Sequence, residues 1–268
     1  MVRHFLSQIG FLNLTAGECL MLFIGGIFIF LAIKKEFEPF LLLPIGFGVI
    51  LTNLPLAGLM DEHGILGIIF KYGVEWELLP LLIFMGVGAL TDFGPLIANP
   101  KTFIIGAGAQ MGIPLVMLIA LCFGFSLNEA SSIGIIGTAD GPIIIYAASK
   151  LAPEIIGIIG VVGYSYMALV PLIQPPIIRL LTTHKERAMV MKQLRPVSKA
   201  EKIFFPIITC IIIILFVPKA APIISMLMVG NLFREAVVVQ RLAQSASTEI
   251  LNVSTIFSRT QYYGRTAY

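Results

Sequence analysis

The chain has 268 residues, of which 57% are hydrophobic and 12% charged, with a formal net charge of +3 and a mean hydropathy of +0.95. A soluble domain carries roughly 25% charged residues, so the composition excludes a cytosolic globule and a disordered tail. The small net charge gives no sign of a polyanion partner, and no nucleic acid is expected. Lipid is the expected surround of most of the chain. Cys19, Cys122 and Cys210 lie far apart in apolar runs without metal-ligand spacing and read as buried, reduced thiols. Residues 1–10 lack a cleavable-signal pattern, so the first apolar run is expected to stay as an anchor.

Apolar runs cover 17–33, 39–58, 78–90, 103–125, 130–148, 155–181, 203–217, 221–230 and 236–257. The first stops at Lys34-Lys35-Glu36. The second carries Pro44, Gly46, Gly48, Asn53 and Pro55. The run 78–90 is too short to cross about 30 Å of hydrocarbon as a straight helix. The run 103–125 is full length. The run 130–148 is interrupted by Thr138-Ala139-Asp140-Gly141-Pro142, and 155–181 holds Tyr164, Tyr166, Gln174 and Pro175-Pro176. The mixture of long and short runs broken by Gly and Pro predicts an all-α polytopic membrane protein with discontinuous helices, whose unwound backbone is buried in protein or lines a wet cavity. The basic loop after 181 contains His184, Lys185, Arg187, Lys192, Arg195, Lys199 and Lys202. It marks the cytoplasmic side of an inner or plasma membrane.

A faint internal repeat pairs Pro80 with Pro222, Val87 with Val229, Gly88 with Gly230 and Leu90 with Leu232, each 142 positions apart. Duplication with broken helices suits a secondary transporter built from inverted-type repeats. The partner of Asp140 would fall at 282, past the last residue, so the second repeat is read as incomplete.

Asp140 is the central candidate. A carboxylate within an apolar run faces a cavity or a partner, and an unwound stretch beside it offers carbonyl oxygens suited to a hard cation such as Na+, or to a proton. Asp140 also fits as an ordinary helix N-cap, and the two roles are compatible. Thr138 and Ser132, with Ser131, are hydroxyl candidates for the same cation; the alternative is bonding back to their own helix. Asn128 is expected as an N-cap. Tyr164 and Tyr166 are candidates for the ion or proton path. Gln110, on a small-residue face, and Asn53 and Gln174, at helix ends or kinks, are further path candidates. Asp92 is expected to close a turn. No hydrolase triad, metalloprotease motif, phosphate loop or dinucleotide fingerprint is present.

The string Gly137-Thr138-Ala139-Asp140-Gly141-Pro142 resembles the Gly-Gly-Ala-Asp-Gly-Pro signature of the beta subunit of sodium-translocating biotin-dependent decarboxylases. The segment from Tyr164-Ser165-Tyr166 to Gln174-Pro175-Pro176 resembles the same family. So do Glu38-Pro39 with Leu42-Leu43-Pro44, Thr91-Asp92-Phe93-Gly94-Pro95 and Gly230-Asn231-Leu232-Phe233-Arg234-Glu235. The resemblance implies a multi-spanning subunit that couples decarboxylation of carboxybiotin to Na+ export with consumption of a proton. Biotin would be carried by a carboxyltransferase alpha subunit, not by this chain, and a small gamma-type membrane subunit would complete the complex; homo-oligomerisation is a further expectation. It assigns the ion-site carboxylate to Asp140 and a coupling role to Tyr166. Family members continue to a C-terminal Gly-Pro-Asn motif that is absent here. Residues 1–257 are therefore read as one partial multi-spanning domain and 258–268 as an aberrant tail. The rival reading is a stand-alone cation/proton or organic-anion transporter with no decarboxylase partner.

Overall fold

The computed structural model describes residues 7–36, 39–190 and 194–260, and every regular element among them is helical. Helix α1 (Ala16–Lys34) is followed by α2 (Pro39–Thr52), then by α3 (Ile65–Ile69), which continues as a π-helical turn over Phe70–Glu75. Next come α4 (Leu78–Leu90), α5 (Gly94–Ala98), α6 (Thr102–Ala109), α7 (Gly112–Cys122), α8 (Leu127–Ile135) and α9 (Gly141–Leu151). The chain continues through α10 (Ile156–Leu181), α11 (His184–Arg187), α12 (Lys199–Phe216), α13 (Ala221–Ala236), α14 (Gln240–Ser245) and α15 (Leu251–Thr260). Glu38 and Lys192 lie outside the described residues, as do positions 261–268 of the expected tail; Ser258 and Thr260 continue α15.

Four helices begin at a Ser or Thr followed three residues later by Glu: Thr15 with Glu18, Ser126 with Glu129, Thr183 with Glu186 and Ser198 with Glu201. In each, hydroxyl and carboxylate satisfy two backbone N–H groups that the first helical turn leaves without partners. Asn128, expected as a cap, is inside the first turn of α8, because Ser126 completes the reciprocal pair two residues earlier. The run 103–125 is divided by a turn at Gln110-Met111. The run 236–257 is divided as well: Val237, at φ +62°, ends α13.

Two helical stretches, Ala16–Lys34 and Thr102–Cys122, are long and apolar enough to cross a membrane, and two further apolar helix pairs are separated by breaks. Their outward faces are apolar: Phe23, Phe30, Ile104 and Leu118 are all exposed, as suits helices solvated by acyl chains. This is an all-α membrane protein.

Contacts divide the chain into two units: the described residues of 1–80, 116–168 and 254–268, and those of 81–115 and 169–253. In the first, Phe70, Val74 and Leu79 share an apolar cluster with Ile144, Ile145 and Ala148 of α9. In the second, α4 and α13 cross backbone to backbone. A methyl on Gly88 would meet the Leu227 carbonyl and the Asn231 nitrogen; one on Gly230 would meet the Met85 carbonyl and the Ala89 nitrogen. The contacts are reciprocal, and each partner maps onto its counterpart by the same 142 positions. Hydrogen is the only side chain that fits at either glycine.

That crossing also serves the carbonyls at the end of α4. Buried Asn231 donates from Nδ2 to the Thr91 carbonyl at 2.8 Å and the Gly88 carbonyl at 3.3 Å, and the Arg234 guanidinium donates to the Leu90 carbonyl. Asp92 closes the following turn as expected, its Oδ1 accepting from the Gly94 N–H at 2.8 Å and from Lys202 Nζ at 3.3 Å. Lys202 also faces Glu235.

Two outcomes follow for the second unit. Gly230→Ala is expected to destabilise it by about 1–3 kcal/mol, since backbone and not a flexible side chain must move; unfolding of the detergent-purified protein measures it. The Gly94 N–H, aided by Lys202, holds the Asp92 carboxyl below its ordinary range despite partial burial. A carboxyl depressed in the folded state contributes stability that is present above its unfolded pKa and is lost as pH falls through the folded one. Between about pH 5 and about pH 2, wild type therefore loses more thermal stability than Asp92→Asn, and parallel melting curves test this.

Candidate functional site

The interruption between α8 and α9 follows from its residues. Helix α8 tightens into a 3-10 turn at Ile136–Thr138, Ala139 enters the left-handed region at φ +52°, and Asp140 is extended at φ −122°, ψ 101°. Asp140 then caps α9, its Oδ1 accepting the Ile143 N–H at 3.2 Å. In an unbroken helix the Thr138 carbonyl would bond to the nitrogen of residue 142, and the Ala139 carbonyl to that of 143. Pro142 has no N–H, and the Ile143 N–H is held by the Asp140 carboxylate. Both carbonyls are thus released from the ladder beside a half-buried carboxylate. The result is a compact set of oxygens of the kind that binds hard cations.

The surrounding candidates divide clearly. The Thr138 hydroxyl donates to the Ile135 carbonyl at 2.8 Å and accepts the Asp140 N–H at 3.3 Å, so it belongs to the turn itself. Ser132 is fully buried and donates to the Asn128 carbonyl at 3.0 Å; Ser131 likewise bonds back, to Leu127. Both hydroxyl protons are engaged within α8, and only their lone pairs remain to face a cation. Tyr164 is buried with its ring against the start of α9: a methyl on Gly141 would lie 2.5 Å from Tyr164 Cε1 and 3.0 Å from its hydroxyl oxygen. Tyr166, two positions on, is 38% exposed. Two residues are about 200° of helical rotation, so the two rings leave α10 on opposite sides. Asn53 is buried at the end of α2 and donates to the Val49 carbonyl at 2.8 Å, a C-terminal cap. Gln110 and Gln174 are exposed and belong to the second unit. Among the described residues no group of three or more His, Cys, Asp or Glu side chains is placed to hold a metal; the oxygens at this break are the Asp140 carboxylate, neighbouring hydroxyls and backbone carbonyls.

The family described as Na+-transporting oxaloacetate decarboxylase beta subunit matches residues 17–262. The chain belongs to this family. It is 50% identical to the methylmalonyl-CoA decarboxylase subunit beta of Veillonella parvula, over 97% of this chain and 69% of that protein. It is 51% identical to the glutaconyl-CoA decarboxylase subunit beta of Acidaminococcus fermentans, over 94% and 67%. With the oxaloacetate decarboxylase beta chain of Klebsiella pneumoniae it shares 44% identity, over 94% and 72%. The family match reaches past residue 257, where the apolar pattern was expected to stop.

In this beta-subunit family member the structure also brings forward residues the sequence reading passed over. Glu77 is buried at the break before α4 and pairs with Lys150 of α9. Its signal was weak: in Glu75-Trp76-Glu77 neither acid stands out from a surface turn. Asn231 stands directly after the apolar run 221–230, a polar side chain set apart from a surface residue only by its burial.

The local geometry predicts opposite responses at neighbouring positions. Ala139→Gly relieves a left-handed backbone while raising unfolded-state entropy, and its stability should stay within about 1 kcal/mol of wild type. Gly141→Ala drives a methyl into the Tyr164 ring and should cost about 1–3 kcal/mol. Chemical unfolding of both variants in detergent compares them.

Proposed function

We propose that this chain is the membrane subunit through which a biotin-dependent decarboxylase exports Na+, and that the ion passes at Asp140. The observation that carries the reading is the helix interruption at 136–140, where one carboxylate stands beside two carbonyls that Pro142 and Asp140 itself release. Oxygen ligands with a single negative charge suit a monovalent hard cation as transported substrate. Thr138 and Ser132 would contribute hydroxyl lone pairs. Tyr164 packs at the start of α9 and would hold its first turn in place; Tyr166, exposed on the opposite side of α10, keeps the coupling role that the family likeness suggests.

Biotin, held by a carboxyltransferase alpha subunit with a gamma-type membrane subunit alongside, would supply the carboxyl group whose loss as CO2 consumes a proton and drives the cycle. The three relatives act, by their names, on methylmalonyl-CoA, glutaconyl-CoA and oxaloacetate at 44–51% identity to this chain. That spread supports an acyl choice made by the partner and not by this subunit. The basic stretch from His184 to Lys202 supports a multi-pass arrangement in the inner or plasma membrane with this segment on the cytoplasmic side. The reciprocal Gly88–Gly230 crossing supports an inverted-type repeat relating α4 to α13. Family membership favours the pump over a stand-alone transporter.

The test is Asp140→Asn in the complex reconstituted into vesicles, with radiolabelled sodium uptake followed during decarboxylation. Coupled uptake should fall to background. Uptake at the wild-type rate would reject Asp140 as the ion site.

A further inference from the structure

Helix α9 is held at both ends. At its start stands Asp140; in its last turn stands Lys150, whose ammonium pairs with Glu77. Glu77 lies at the break between the π-helical turn Phe70–Glu75 and α4, in the left-handed region at φ +64°. Its N–H donates to the Val74 carbonyl at 2.9 Å, closing the helix end. Glycine is the residue that such a position ordinarily takes, because a β-carbon is strained there. A glutamate is kept instead, and it is turned inward: Glu77 is 8% exposed, the one acidic side chain in the buried class among the described residues. Tyr146 stands one turn before Lys150 on the same face of α9. Between the two ends, Ile144, Ile145 and Ala148 pack with Phe70, Val74 and Leu79.

We infer that Glu77 and Lys150 form a positioning clamp that fixes the direction of α9 and so places Asp140 against its oxygens. An 11-residue helix is a rod of about 16 Å; anchoring its far end limits how far its near end swings. The apolar side chains between the ends resist separation but do not specify register, because they interact without direction. The ion pair does. The backbone strain at Glu77 points the same way, since a residue in that conformation persists only where its surroundings hold it. The inference rests on Asp140 being the ion site, and neither residue is placed in contact with the ion.

The experiment uses the full chain in the assembled complex, reconstituted into vesicles, with four variants beside wild type: Glu77→Gly, Lys150→Gln, Lys150→Arg and Asp140→Asn. The readouts are the KM for Na+ in decarboxylation, kcat, sodium taken up per CO2 released, and thermal stability. Glu77→Gly relieves the backbone and keeps the turn, so its melting temperature should equal or exceed that of wild type. Its KM for Na+ should nonetheless rise about tenfold, the size expected when coupling through a packed element is weakened, and sodium per CO2 should fall. Lys150→Gln should match it, and Lys150→Arg, which keeps the charge, should stay within about twofold of wild type. A folded Glu77→Gly complex with wild-type KM for Na+ and wild-type stoichiometry would overturn the clamp, as would Lys150→Arg failing as badly as Lys150→Gln. If Asp140→Asn is inactive while Glu77→Gly behaves as wild type, the clamp alone fails; if Asp140→Asn transports normally, the ion-site reading fails first.

Discussion

A backbone carbonyl without a partner is costly in an apolar surround, and the first unit is organised around two of them. Pro142 withholds a nitrogen from the Thr138 carbonyl, and the Asp140 side chain takes the Ile143 N–H that the Ala139 carbonyl would have used. The chain tolerates this because α9 restarts at once with its cap in place and because Tyr164 closes over Gly141. What would be a defect in a spanning helix becomes a group of acceptors beside the Asp140 carboxylate. In the same unit α8 is capped by Ser126 and Glu129, α9 packs along Phe70, Val74 and Leu79, and Glu77 meets Lys150 at its far end.

The same need is met differently in the second unit. At the end of α4 the carbonyls of Gly88, Leu90 and Thr91 accept from protein donors, Asn231 and Arg234. The contrast separates two uses of a broken helix: one end is finished by side chains from its neighbour, the other keeps its oxygens open beside an acid. Asp92 belongs to the first kind, its carboxylate occupied by the Gly94 N–H and Lys202.

Much of this was legible in the amino-acid order. The break at Asp140 is written in local terms, because Gly-Pro after an acid dictates both the cap and the missing donor. The starts of α1, α8, α11 and α12 are written in the Ser/Thr-to-Glu spacing, and overlooking that spacing is what moved the expected cap from Ser126 to Asn128. Tyr164 and Tyr166 could be found but not told apart, since opposite sides of a helix become unequal only once a neighbour is packed on one of them. Glu77 was hidden for a similar reason: its lysine partner stands far along the chain, and nothing in Glu75-Trp76-Glu77 marks a buried, left-handed glutamate. The break at Val237 was equally silent, for no glycine or proline marks it.

The contact between Gly88 and Gly230 has a mechanical consequence. Where two helices meet through side chains, ridges and grooves let one element ratchet past the other in steps. Here main chain rests on main chain, and sliding either rod along its length would wedge a β-carbon into a gap that admits a hydrogen. Rocking about the point of touch meets no such obstacle. The glycines make the crossing a fulcrum, stiff to translation and compliant to tilt.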